Sequence, residues 1–229
     1  MIGIIGAMEE EVAEILKLVE LKKKNEMQGF VFYEGVMNGQ DIVVVQGGIG
    51  KVNATISSTL MILKYSIDYI INIGSAGGLK QDQNVGDVVI SNVVAHHDVD
   101  VRAFGRKIGE VPGMPLYFKP DSELLDKIAE ILKSLHVPSH IGLIVSGDQF
   151  ISEKKQVDKI KKDFPQAMCC EMEAASIAQV CHIFHKKFII TRSLSDIYGK
   201  GNSSTQFDEY LKKASQSSAH MCYELVSKL

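Results

Sequence analysis

The sequence predicts an α/β layer fold with a mixed β-sheet in one domain. Short β-branched runs that end in glycine or small polar residues alternate with amphipathic helical patterns. Asn38-Gly39 lies between two such runs and is typical of a β-hairpin turn, which indicates that the sheet is not purely parallel. We see no linker, repeat or low-complexity tract, so residues 1–229 are expected to form a single domain.

Seven apolar runs have the length and composition of β-strands. In chain order they are 2–6, 30–36, 41–48, 68–78, 86–96, 140–148 and 187–196. The AMCC run before Glu171 also suits a buried strand.

Helical periodicity occupies the intervals between strands. Apolar residues recur at helical spacing within 12–19, 52–63 and 124–135, the last with Asp121 or Ser122 as a candidate cap. A long helix is expected from about residue 204 to the end. The stretch 97–120 is the least regular, and loops of this length are usually functional or lie at an interface.

Composition excludes several classes of function. The net charge is −3 with scattered charges, so neither nucleic acid nor anionic lipid is an expected partner. The lysine runs at 22–24 and 161–162 are interpreted as solvated loop or helix faces. Four cysteines without CxxC spacing, no signal-peptide pattern and no membrane-spanning run favour a cytoplasmic protein with reduced thiols.

Carboxylates stand at several predicted strand ends, where ligands gather in α/β sheets. Each has a local explanation. Glu11, with Glu9 and Glu10, could lie in the first turn of a helix, where the helix dipole favours negative charge, and Asp196 could cap a turn. Glu171 and Glu173 could be first-turn acids of the helix that follows them. Together at one edge of a sheet, these acids point to a site.

Several standard motifs do not fit. GGIGKV at 47–52 lacks the glycine spacing and the Ser or Thr of a phosphate loop, and GSAGG at 74–78 lacks dinucleotide-binding spacing. HHDVD at 96–100 has metal-ligand residue types, but we favour a structural hydrogen-bonded cluster on a strand there. No G-x-S-x-G nucleophile motif is present.

The sequence resembles the nucleoside phosphorylase/nucleosidase superfamily, and within it the bacterial 5′-methylthioadenosine/S-adenosylhomocysteine nucleosidases. The segments that carry the resemblance are GIIGAMEEEV (3–12), GIGKVNA (48–54), INIGSAGGL (71–79), HDVDVRAFG (97–105), GLIVSGDQFI (142–151), CEMEAASIAQVC (170–181) and TRSLSDI (191–197). The resemblance implies a three-layer, purine/uridine phosphorylase-like fold, with a twisted mixed sheet flanked by helices. It also implies a homodimer and hydrolysis of adenine thio-nucleosides without a metal or organic cofactor.

The resemblance also implies roles for individual residues. Asp196, with a pKa raised towards neutrality, would protonate adenine N7, and Glu11 would activate water. Glu173 would bind the ribose hydroxyls. The other implied contacts are Met172 under the sugar; Ser75, Ala76 and Gly77 near the water; Phe150 and Ile151 at adenine; Ser195 and Arg192 as support; Met8, Ile49 and Phe207 around the alkylthio group; and Val101, Phe104 and Pro112 from the partner subunit.

Some positions depart from the family pattern. Arg106 stands where relatives often have tyrosine, Leu194 replaces Ala or Val, and the 197–206 loop differs. These departures bear on the selectivity for the alkylthio tail and leave the acids in place. Three rivals remain: a purine nucleoside phosphorylase, a hydrolase of an aminofutalosine, and a non-catalytic nucleoside sensor. Glu11 would repel phosphate, and a sensor needs no acid together with a water-activating base, so hydrolysis is favoured.

Overall fold

The computed structural model describes residues 1–201 and 203–229, which form ten strands and six helices within those ranges. The strands are β1 (Ile2–Gly6), β2 (Glu20–Met27), β3 (Phe30–Met37), β4 (Gln40–Gln46), β5 (Tyr69–Asn72), β6 (Ser75–Gly78), β7 (Val88–His96), β8 (Ser139–Ser146), β9 (Ala167–Glu171) and β10 (Lys187–Ile197). The helices are α1 (Glu9–Leu16), α2 (Lys51–Lys64), α3 (Ser122–Ser134), α4 (Lys154–Asp163), α5 (Ala174–Ile183) and α6 (Ser203–Val226).

The strands form one mixed sheet in the order β2-β3-β4-β1-β5-β10-β6-β9-β8-β7. The neighbours β4, β1, β5 and β10 run parallel, so their carboxyl ends lie at one edge of the sheet. β10 is long enough to pair with β5 through residues 187–190 and with β6 through residues 193–197. An antiparallel pairing of β10 with β7 curls the second half of the sheet back on itself.

Helices cover both faces of the sheet. Successive strand residues point to opposite faces, and so Ile5 and Val43 pack in one core with α2 and α5, whereas Ile4 and Ile42 pack in another with α1, α3 and α6. This is the predicted three-layer α/β fold with a mixed sheet. Among the described residues, no helix is long and apolar enough to cross a membrane.

Two predicted local features are confirmed. Asn38 and Gly39 both have positive φ (50° and 77°) in the turn between β3 and β4, as a tight hairpin of this type requires. Asp121 caps α3 by accepting a hydrogen bond from Leu124 N over 3.1 Å. Such a cap typically stabilises a helix by about 1 kcal/mol.

Two local predictions were wrong. Lys22–Lys24 lie on the edge strand β2, not in a loop or helix, because an exposed edge strand carries no apolar face to reveal it. The predicted strand 68–78 is divided into β5 and β6. The helix predicted within 52–63 is present as α2, and Val52 and Leu63 on its apolar face are each 68% exposed.

Candidate active site

One pocket lies where the parallel strands end, and it collects most of the predicted site residues. Those in its lining are Met8, Glu11, Ile49, Ser75, Ala76, Gly77, Phe150, Ile151, Met172, Glu173, Ser195, Asp196 and Phe207. They come from seven separate segments of the chain. Glu171 also lines the pocket, together with Ala7, Gly74, Gln149 and Cys170, which the sequence did not single out.

Glu11 is held rigidly on the first turn of α1. Its Oε2 accepts hydrogen bonds from Ala7 N (2.8 Å) and Met8 N (3.1 Å), and its Oε1 accepts one from Ser75 N (3.2 Å). Burial raises the pKa of Glu11, although Arg192 and the three N–H groups oppose that rise. The Glu11 carboxyl is therefore fixed at the pocket wall with a raised proton affinity.

A bulge in β10 places Ser195 and Asp196 on the same pocket. Neighbouring residues of a regular strand point to opposite faces, but here the register with β6 shifts between Leu194 and Asp196, so an extra residue is accommodated. Ser195 Oγ donates to Asp196 Oδ1 over 2.9 Å, and both residues are buried. A side chain at Gly77 would bring its Cβ within 3.2 Å of Asp196 Oδ2, so this glycine permits the close approach.

Glu171 and Arg192 form a buried ion pair behind the pocket. Arg192 Nη2 lies 2.6 Å from Glu171 Oε2, and Nε donates to the same oxygen over 3.2 Å. Ser146 Oγ donates to the other oxygen of Glu171. Although burial alone would raise the pKa of Glu171, these contacts lower it. Glu171 is thus an ionised structural partner of Arg192.

Glu173 has different surroundings from Glu171, two residues away. It precedes α5 as the N-cap residue, and its Oε1 accepts a hydrogen bond from Gly50 N over 2.9 Å. Burial, and after it the negative charge of Glu171, raises the pKa of Glu173 to about 8. Arg192 Nη2 is 4.0 Å from Glu173 Oε2, too far to offset these effects. Glu173 can therefore donate as well as accept a hydrogen bond near neutral pH.

An aromatic pair forms part of the pocket wall. The rings of Phe150 and Phe207 meet edge to face, with centroids 5.9 Å apart and an interplanar angle of 78°. Phe150 is 46% exposed, although it lines the pocket. The lining thus combines buried acids with apolar and aromatic groups.

Four predicted residues lie outside the pocket lining. Arg192 is one layer behind it, whereas Val101, Phe104 and Pro112 belong to the irregular loop between β7 and α3. Phe104 is the last residue of a 3₁₀ turn (Arg102–Phe104) and is 85% exposed. Arg106, in the same loop, pairs with Glu110 over 2.9 Å at the surface. The predicted contribution of this loop to a partner's pocket stays a prediction.

The HHDVD segment does not form the single cluster expected from it. β7 ends at His96, so the alternation of a strand does not continue to Asp100. His96 bonds to Gln179, Asp98 pairs with Lys51, and Asp100 pairs with Arg102. Within residues 1–201 and 203–229, no group of three His, Cys, Asp or Glu side chains is arranged to hold a metal ion.

Sequence reasoning missed the supporting contacts of the acids. Asn72 Oδ1 accepts from Arg192 Nη2 over 2.6 Å, and Ser146 bonds to Glu171. The Gly50 N–H that reaches Glu173 is a backbone group, which no residue pattern reveals. The only available signal was position, because Asn72 and Ser146 both stand at strand ends.

The arrangement suits acid-assisted cleavage of a bond in a partly apolar ligand. Glu11 and Asp196 can hold or transfer protons, and Glu173 can bind hydroxyl groups. The described residues that line the pocket include no lysine or arginine. Arg192, behind them, is already bonded to Glu171, Asn72 and the Thr191 carbonyl.

Comparison with known proteins places this arrangement in a family. Residues 1–227 match the family described as "Phosphorylase superfamily". The 5′-methylthioadenosine/S-adenosylhomocysteine nucleosidase of Staphylococcus haemolyticus is 49% identical over 231 residues, which cover 100% of both chains.

Two solved structures extend the comparison. The 5′-methylthioadenosine/S-adenosylhomocysteine nucleosidase from Colwellia psychrerythraea, in complex with adenine, is 40% identical with a TM-score of 0.96, over 100% of this chain and 95% of that one. Futalosine hydrolase of Helicobacter pylori is 33% identical with a TM-score of 0.94, over 100% and 97% of the respective chains.

Proposed function

Because the chain belongs to the phosphorylase superfamily, and within it to the 5′-methylthioadenosine/S-adenosylhomocysteine nucleosidases, we propose that it hydrolyses the N-glycosidic bond of these two nucleosides. The products would be adenine and the corresponding thio-ribose, which suits methionine salvage and the recycling of S-adenosylmethionine by-products. The observation that carries the proposal is a pocket lined by buried carboxyl groups and, in the described lining, by no basic side chain.

Asp196 is the proposed acid. Cleavage leaves negative charge on the adenine ring, and a proton delivered to N7 relieves it as the bond to the ribosyl carbon breaks. Asp196 is buried at the pocket wall, where Ser195 Oγ donates to its Oδ1 and the backbone of Gly77 packs close to its Oδ2. Ser195 thereby fixes the direction in which the acid faces.

Glu11 is the proposed base for the attacking water. The sugar becomes oxocarbenium-like as adenine departs, and water must add to its anomeric carbon while losing a proton. The raised pKa of Glu11 makes it a better proton acceptor, while its three backbone contacts hold it in place. Ser75, Ala76 and Gly77 form the adjacent wall.

The remaining lining divides between sugar, base and tail. We assign Glu173 to the ribose hydroxyls with Met172 against the sugar, and Phe150 with the Ile151 main chain to adenine. Met8, Ile49 and Phe207 supply an apolar surface for the alkylthio tail. Burying such a tail contributes roughly 0.8 kcal/mol per CH₂ group, which suits an uncharged methylthio substituent.

We also propose that the chain acts as a homodimer with a shared site. The outward apolar face of α2, formed by Val52, Ile56 and Leu63, is the kind of surface that a subunit interface covers. Exposed Phe104 belongs to the loop that would reach the partner's pocket together with Val101 and Pro112.

The four buried cysteines, none in a disulfide, favour action of this one-domain protein in the reducing cytoplasm.

A phosphorylase would need a cationic phosphate site. Among the described lining residues no cation is available for one, and the Glu11 carboxyl occupies the region near the N-terminal loop. An aminofutalosine hydrolase is the second candidate, supported by the 33% identity to the Helicobacter pylori enzyme. The same acid and base would serve both hydrolytic reactions.

Release of adenine without phosphate tests this proposal. Purified protein should release adenine from methylthioadenosine and S-adenosylhomocysteine and leave inosine intact, since inosine lacks the thio tail and the adenine base. An aminofutalosine substrate in the same assay separates the two hydrolases. A requirement for added phosphate would contradict hydrolysis, and tight binding without release would indicate a sensor.

A further inference from the structure

Three residues outside the pocket tie two of its walls together. Lys51 Nζ donates to Asp98 Oδ1 over 2.6 Å, and Asp148 N donates to Asp98 Oδ2 over 3.0 Å. Lys51 N donates to Asp148 Oδ1 over 2.7 Å, which closes the ring. We call Lys51, Asp98 and Asp148 the clasp. None of the three belongs to the pocket lining.

The clasp supplies what the start of α2 lacks. The first N–H groups of a helix have no partner within the helix, and a nearby side chain usually caps them. Here the N-cap residue is Gly50, which has no side chain and whose φ of 94° favours glycine. Asp148, almost a hundred residues away in the chain, therefore caps Lys51 N with a negative charge that the helix dipole favours.

Each end of the clasp adjoins pocket residues. Gly50 N donates to Glu173 Oε1 over 2.9 Å, and Ile49 lines the pocket. Gln149, Phe150 and Ile151 follow Asp148 directly in the chain and line the pocket as well. Movement of the clasp would therefore displace both walls.

Asp98 is the centre of the clasp. Burial alone would raise its pKa, but the hydrogen bonds from Lys51 and from Asp148 N outweigh burial and lower it. Asp98 thus stays ionised at neutral pH. Hydrogen bonds to an ionised acceptor are stronger than those between neutral groups, so this contact can hold two segments in register.

We propose that Asp98 is a positioning residue for the substrate pocket. Through the clasp it holds the Gly50 N–H on Glu173 and holds residues 149–151 at the position where the base binds. The proposal rests on the proposed nucleosidase function, because that function assigns these two walls to ribose and adenine.

Kinetics separate positioning from general stability. Asp98→Asn and Lys51→Met should each raise KM for methylthioadenosine about tenfold or more while kcat changes less than threefold, since the acid and base are untouched. The KM of the double variant should be no higher than that of the more affected single variant, because the two substitutions remove the same contact between Lys51 and Asp98. Asp158→Asn is the matched control, since Asp158 pairs with Lys154 at the same 2.6 Å on the exposed face of α4; its KM should stay as in the unsubstituted protein. An unchanged KM in Asp98→Asn, with only a lower Tm, would overturn the proposal.

Hydrogen exchange tests the clasp independently of turnover. In Asp98→Asn the amides of Gly50, Lys51 and Asp148 should exchange at least tenfold faster than in the unsubstituted protein, and those in Asp158→Asn should not. Unchanged exchange at these amides would overturn the clasp even if the enzyme is active. Failure of the unsubstituted protein to release adenine, with exchange as expected, would overturn the proposed function and leave the clasp in place.

Discussion

The Arg192 guanidinium and the Glu171 carboxylate form a buried ion pair, with 2.6 Å between Nη2 and Oε2 and at most 3% of either side chain exposed. Glu171 comes from the end of β9 and Arg192 from the middle of β10, so the pair joins two strands that β6 separates in the sheet. It also brings a positive charge to a region that contains Glu11 and Glu173. The pair therefore lets several carboxyl groups share one site.

Removing the charge of Glu171 should destabilise the protein. Glu171→Gln leaves Arg192 buried without its nearest counter-charge, and breaking a buried pair in this way costs about 3 kcal/mol. Chemical denaturation at fixed protein concentration measures the free energy of unfolding. Glu26→Gln on the exposed edge strand β2 is the control and should change it by less than about 0.5 kcal/mol. Equal stability of the two variants would show that Arg192 does not depend on Glu171.

The raised pKa of Glu173 should appear as a pH-dependent stability. A carboxyl whose pKa is higher in the folded than in the unfolded protein stabilises the fold fully below roughly pH 4.3. That contribution is lost as pH rises towards the folded-state pKa of about 8. Between pH 5 and 8, the unfolding free energy should therefore fall relative to that of Glu173→Gln, by at most about 1.4 kcal/mol per pH unit. Parallel pH curves for the two proteins would contradict the raised pKa.

Ser195 should matter for turnover, whereas Ser193 should not. Ser195→Ala removes the hydrogen bond that orients Asp196. We expect kcat to fall about tenfold, because the proposed proton donor is then no longer held towards adenine N7. The hydroxyl of Ser193, two residues earlier on β10, has no hydrogen-bonding partner among the described residues, so Ser193→Ala is a matched control. Steady-state kinetics with methylthioadenosine compares the two. A similar loss in both would mean that β10 is disturbed generally.

The exposed face of α2 should carry the subunit interface. Leu63→Asp places a charge where we expect apolar contact between subunits, so sedimentation should show monomers. The activity should fall as well, because the proposed site is shared between the two subunits. Ile141→Asp on β8 changes another exposed apolar residue, which is 47% exposed, and should leave a dimer. A protein that is monomeric without substitution would contradict the proposed shared site.

The sequence predicted the layers of the fold because strand and helix periodicities are local properties. It did not predict β2, whose lysines and glutamates show no buried face, or the direction in which α2 faces. An apolar stripe on a helix predicts that the stripe packs against another surface, but the pattern does not distinguish the core of the same chain from another subunit.

The acids of the site could be found from their positions at strand ends, whereas their interactions could not. Glu171 and Arg192 are 21 residues apart, and only the sheet order brings them together. The bulge that turns Ser195 and Asp196 to one pocket depends on the register of β10 with β6. The difference between Glu171 and Glu173 arises from backbone N–H groups and from Arg192, which no residue pattern records.

The most direct test of the central claim is the origin of the oxygen in the sugar product. In phosphate-free water labelled with heavy oxygen, the protein should release adenine and a methylthioribose that carries the label. Asp196→Asn and Glu11→Gln should remain folded while their kcat falls by about 10²-fold to 10⁴-fold. An unlabelled sugar phosphate that forms only when phosphate is added would contradict hydrolysis, and near-normal kcat in either variant would contradict the role proposed for that residue.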